Sequence, residues 1–174
     1  MDIDSVMDRF CRIPGARAGR GPRHPRDPDP APAARLTEFL DTYPSLRSDR
    51  GYVAFLERYG GAAIEGGDDR PLVDVLGFSD ASTGLLEMDG PVVDDDGFLL
   101  FAQYVHHRIE GGKLLDTEEQ DFAFDTTGER KPGVYRLFSS RRVSDDDFDW
   151  YAEDFLSWLD RLVRQDGILP RPEE

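Results

Sequence analysis

Apolar residues recur along this chain with two different periods, and the switch between them marks out its elements. Ile3, Val6, Met7 and Phe10 fall at three- and four-residue steps and predict a short helix over residues 2–12. Leu36, Phe39, Leu40 and Tyr43 repeat that step over 34–43, where Pro44 must end the helix or bend the chain. Tyr52, Val53, Phe55, Leu56 and Tyr59 repeat it over 48–59, with Ser48 as the expected N-cap and Gly60-Gly61 as the stop. From residue 62 the runs become short and β-rich. AAIE at 62–65 and LVDVLGFS at 72–79 predict strands. FLLFAQYV at 98–105 is almost continuously apolar, as a central strand buried on both faces would be. DFAFD and GVYRLFSS flank the turn-rich TTGERKPG and predict a hairpin with a long loop. HHRIEGGKLLDTEEQ reads as the connection leading into that hairpin.

The helical period returns at the end. Phe148, Tyr151, Phe155, Trp158, Leu159 and Leu162 form one broad stripe. Ser144 is the expected N-cap, and Asp145, Asp146 and Asp147 would then sit in the first turn, where the helix dipole favours negative charge. Strands and helices are segregated along the chain rather than alternating. The expected fold is therefore α+β: N-terminal helices, a central, mainly antiparallel sheet, and a C-terminal amphipathic helix packed on it.

Composition changes this picture in two places. Residues 14–34 are built from Pro, Gly, Ala and Arg, with Arg17, Arg20, Arg23 and Arg26 evenly placed and almost nothing to bury. That reads as an extended, flexible linker without stable secondary structure, whose removal with the first helix should cost little stability. The expected organisation is a helix and basic extension over 1–35, a folded domain over 36–165 and a frayed tail over 166–174. The second change is charge. Thirty-six acidic against 21 basic residues give a net charge of −15. Such a chain repels nucleic acid and draws basic partners. No apolar run approaches the roughly 20 residues of a membrane span, and MDIDSVMD lacks the positive start of a secretory signal. The single cysteine, Cys11, leaves no intramolecular disulfide, which fits a reducing cytoplasm.

Candidate chemistry is sparse. Asp94-Asp95-Asp96-Gly97 lacks the alternate ligands and the twelfth-position glutamate of a calcium loop and reads as a solvated acidic turn. His106 and His107 are adjacent on a strand, so they should point to opposite faces and cannot share a metal. No nucleophile elbow, phosphate-binding glycine loop, dinucleotide fingerprint or zinc-protease motif occurs. No catalytic residue, cofactor or metal is expected.

The order of motifs carries more than any one of them. YVAFLERYGGAAI resembles the helix ending in aromatic-Gly-Gly that opens domains of the SUKH superfamily, which takes in fungal regulators of cell-wall synthesis and many bacterial proteins. FLLFAQYV followed by DFAFDTTG is similar to that family's paired central strands, and WYAEDFLSWLDRLV to its closing helix. The resemblance covers about residues 36–164. Glu119-Gln120 stands where the family often has Gly-Asp, and the basic extension is not part of its pattern. It implies an α+β interaction module with no catalytic residues. Many bacterial members are immunity proteins that neutralise toxins, often nucleases. The expected function is accordingly a non-enzymatic, cytoplasmic immunity protein bound to a basic toxin. The alternatives are a housekeeping regulatory protein of the same fold or, further off, a hydrolase using carboxylates and one histidine. Asp94, Asp95, Asp96, Asp145, Asp146 and Asp147 are the candidate partner-binding residues, as the densest acidic clusters.

Overall fold

The structure is a computed structural model and describes residues 2–26, 33–67, 70–78, 92–138 and 148–170. Its centre is a long hairpin of β5 (Phe98–Glu110) and β6 (Lys113–Asp125). Around it lie α1 (Ile3–Phe10), β1 (Ala16–Ala18), α2 (Ala34–Thr42), α3 (Arg50–Arg58), β2 (Ala62–Ile64), β3 (Leu72–Val75), β4 (Val92–Val93), β7 (Val134–Phe138), β8 (Phe148–Ala152) and α4 (Phe155–Arg164). The strands form one sheet in the order β1-β2-β3-β5-β6-β7-β8, with β4 also pairing on β5, and every pairing is antiparallel. The α+β architecture is the one the patterning predicts.

The helices bury their stripes against the same sheet face. Trp158 of α4 is fully buried, with its ring 5.1 Å from Phe101 and 5.3 Å from Phe122. Phe155 meets Tyr52 and Phe55 of α3 at 5.2 and 4.9 Å. Such aromatic pairs add to the area they bury. A second, smaller cluster of Phe98, Ala123 and Tyr135, with Leu100, Leu137, Phe148 and Trp150 packed on it, occupies the other face. Among the described residues, no helix is long and apolar enough to cross a membrane.

Four sequence expectations need correction. Residues 14–26 are not a structureless linker. Ala16–Ala18 pairs with β2, and the backbone of Gly21 and Arg23 donates to the carbonyls of Arg58 and Glu57 at the end of α3. Gly21 fits because a Cβ there would stand 2.4 Å from the Leu56 carbonyl oxygen. Residues 27–32 lie outside the described residues. The N-cap of α3 is Asp49, not Ser48; the Ser48 hydroxyl donates to Ser45 instead. The closing helix starts at Phe155 under an Asp154 cap, and Phe148–Ala152, expected as its first turns, is a strand. The tail is held as far as Leu169, which is buried and whose N–H donates to the Tyr104 hydroxyl. One further element differs from the connection that the sequence predicts. Residues 106–119 extend the central hairpin around Gly111-Gly112, past the reach of β3 and β7.

Candidate functional site

Acidic side chains converge at one end of the sheet, where the β4–β5 turn, the β6–β7 loop and the first turns of α3 and α4 meet. Asp94 orders the first of these. Its Oδ1 accepts from the N–H groups of Asp96 (3.0 Å) and Phe98 (2.8 Å), so its carboxylate serves the turn and Asp95 and Asp96 are left exposed. The N–H and hydroxyl of Thr126 both donate to the Gly97 carbonyl, at 2.9 and 2.7 Å. This fastens the turn to the β6–β7 loop.

That loop is wound around Asp125. Its carboxylate accepts from the Thr127 hydroxyl (2.7 Å), the Gly128 N–H (2.9 Å) and the Arg130 guanidinium (2.8 Å). Burial alone would push the Asp125 carboxyl up, but the hydrogen bonds from Thr127 and Arg130 together outweigh it and hold it below the usual range. Arg130 also donates to the Asp96 carbonyl and lies over the Phe98 ring, 4.4 Å from its centre. One guanidinium thus ties together both loops and the first residue of β5.

Asp49 does the same for the helices. It caps α3 through the Tyr52 N–H (2.9 Å) and accepts from the Phe155 N–H (2.8 Å) at the start of α4. Burial pushes its carboxyl upward; the hydrogen bonds from Phe155 and Tyr52 oppose this without cancelling it, and the charge of Asp154 adds to the rise. Between these elements lies a cleft of about 410 Å³, with Ser45, Asp49, Asp125, Glu153 and Asp154 among its lining. Glu153 is exposed, and Asp154 uses Oδ1 to cap Ser157 at 2.7 Å. Among the described residues, Arg130 is the cation in the lining, and Asp125 neutralises it. The cleft and its rim therefore present uncompensated carboxylates, an arrangement suited to receiving cationic side chains.

Of the sequence candidates, Asp95 and Asp96 stand exposed at this end, while Asp94 is structural. Asp145, Asp146 and Asp147 lie outside the described residues. Sequence reasoning missed Asp49, Asp125, Glu153 and Asp154. Their one local signal was an aspartate three residues before Tyr52 or Ser157, the spacing of an N-cap. His106 and His107 are remote from the cleft lining. His106 stands edge-on to Tyr104, whereas His107 Nδ1 is 3.0 Å from the Thr117 hydroxyl. Among the described residues, no group of three or more His, Cys, Asp or Glu side chains is placed to hold a metal ion. No family model matches the chain, and neither a curated protein nor a solved structure matches it.

Proposed function

We propose that this chain is a non-enzymatic protein-binding module, and most specifically a cytoplasmic immunity protein that neutralises a co-encoded basic toxin, a nuclease being the class that best fits the charge. The observation that carries this reading is the fixed presentation of Asp95 and Asp96 on a turn clamped by Arg130 and Thr126, beside the acidic cleft. A basic surface is steered by such a field, and preordering the loop lowers the entropy lost on binding. The net charge of −15 and the order of SUKH-like motifs support the same reading.

The test begins with the product of the adjacent toxin gene, co-purified with this chain. Association rates are then measured at low and high salt for the wild type and for Asp95→Asn/Asp96→Asn. The expected result is slower association in the variant, by roughly 3- to 10-fold at low salt, with a flatter salt dependence. Equal rates and slopes would remove this loop from the interface. The absence of any complex with that toxin would remove the immunity reading.

A further inference from the structure

A second feature, on different residues from the acidic end, points to a peptide site at the projecting hairpin. β3 pairs with β5 only as far as Leu72 opposite Val105, while β5 continues to Glu110. Among the described residues, no strand pairs with His106–Glu110 on that side, so its backbone groups form an open edge. Between this edge and the turn that leads into β3 lies a notch of about 580 Å³. Its apolar lining includes Ile109, Leu72 and Leu114, the last two 40% and 54% exposed. Exposed aliphatic surface around a strand edge is the signature of a contact site.

Arg70 lines the notch and is exposed at its rim. A Cβ on Gly67 would lie 3.2 Å from one terminal nitrogen of its guanidinium and 3.4 Å from Nε, and a Cβ on Gly15 would lie 3.2 Å from the other terminal nitrogen. Gly67 has no positive φ that would require glycine, so its missing side chain serves space: it seats the guanidinium. Arg70 makes no ion pair among the described residues, and the carboxylate of Glu65, on the same turn, is engaged by Arg17 at 2.7 Å. A seated guanidinium with no ion pair among the described residues, at the rim of an apolar notch, is suited to a carboxylate.

Strand direction decides which carboxylate. β3 runs from Leu72 opposite Val105 to Val75 opposite Ala102. A strand added antiparallel to β5 ahead of β3 runs the same way, from opposite Glu110 towards opposite His106. It must stop where the turn and Pro71 stand in line, and its C-terminus arrives at Arg70. We propose that this notch binds the C-terminal end of a partner polypeptide: an extended segment pairing with His106–Glu110, its terminal aliphatic side chain between Leu72 and Leu114 and its terminal carboxylate on Arg70. A second copy of this chain is the weaker occupant, because two bodies of charge −15 repel.

The probe is the peptide Ac-Thr-Val-Thr-Val-Leu with a free carboxylate, compared with its C-terminal amide, titrated into the ¹⁵N-labelled full chain. The expected result is saturable shift changes at Gly66, Gly67, His107 and Ile109, with the free acid binding about tenfold more tightly than the amide. Arg70→Gln, on an exposed turn, should abolish that preference and leave the amide unchanged. Gly67→Val, which displaces the guanidinium, should do the same. Equal binding of acid and amide, shifts elsewhere, or no saturable shift would overturn the proposal. So would a dimer of the free chain, seen by sedimentation, that Leu114→Ser dissociates. No toxin enters this experiment, so its failure leaves the acidic-end reading intact, and failure of that reading leaves the notch.

Discussion

Asp49 shows how one side chain positions a site without belonging to its chemistry. Its two oxygens satisfy the first turns of two helices that are distant in sequence. Asp49→Ala removes the α3 cap and the acceptor for the Phe155 N–H, while Asp154 still caps α4, and is expected to cost about 2–3 kcal/mol, near the sum of a capping loss and one unpaired N–H. Asp49→Asn keeps one acceptor and should cost about half as much; urea unfolding of the three proteins checks the order. Protonation works in opposite senses at Asp49 and Asp125. The folded Asp49 carboxyl is raised, so its titration favours folding below the unfolded value and that contribution is lost as pH rises through the raised one. The folded Asp125 carboxyl is lowered, so its stabilisation is present above the ordinary value of 3.8 and lost as pH falls through the lowered one. Asp125→Asn should therefore be less stable at neutral pH and lose less further stability on acidification than the wild type. Parallel pH profiles for the two proteins would show that Asp125 does not titrate with folding.

Among the elements, α4 carries the heaviest single contact. Trp158 is fully buried between Phe101, Phe122 and Phe155. Trp158→Ala should destabilise by about 3–5 kcal/mol, measured by urea unfolding. A loss below about 1 kcal/mol would contradict the packing. This stripe was legible in the sequence because its apolar residues recur at helical steps through Val163. Its first part misled for the same reason. Phe148, Tyr151 and Phe155 fit a helix by spacing, yet residues 148–152 also alternate. Phe148 and Trp150 pack on the outer cluster while Tyr151 meets Phe122 on the helix side. Pairing with β7, including the Arg136–Asp149 ion pair, decides for the strand, and such a partner is invisible to local pattern. The extended hairpin is hidden from local pattern for a different reason. Gly111-Gly112 is a turn signal, and both residues have positive φ, but the polar run from His106 to Glu119 lacks the alternation that marks a half-buried strand. Of the acidic end, the run at Asp94–Asp96 could be read directly. The cleft could not, because Asp49, Asp125 and Asp154 come from three separate elements and meet only in the fold.

At the scale of the whole molecule, the N-terminal segment decides how far the folding unit reaches. Composition alone sets residues 1–35 apart as an extension, and a Pro/Gly/Arg tract has little of its own to bury. The structure gives it something to bury against. Ile3, Val6, Met7 and Phe10 are all within the main core, Ile13 joins them, and Asp4 and Arg9 form ion pairs with Arg58 of α3 and Asp160 of α4. β1 then completes one edge of the sheet by covering β2. Burying the four apolar side chains of α1 is worth roughly 6–12 kcal/mol at 1.5–3 each, an upper estimate for a chain that is already partly collapsed when unfolded. A domain of this size has about 5–15 kcal/mol of net stability to lose. The ion pairs add little to this sum, since Asp4, Arg58 and Arg9 are each more than one-third exposed. Deleting residues 1–26 is therefore expected to abolish cooperative thermal unfolding, not to shift the midpoint by a few degrees. Calorimetry of the truncated chain tests this directly. Phe10→Ala separates the core contribution from that of β1, because it leaves the strand in place and should still cost about 3–5 kcal/mol. A truncated chain that melts cooperatively near the wild-type temperature would mean that α1 and β1 lie on the domain without being needed to form it.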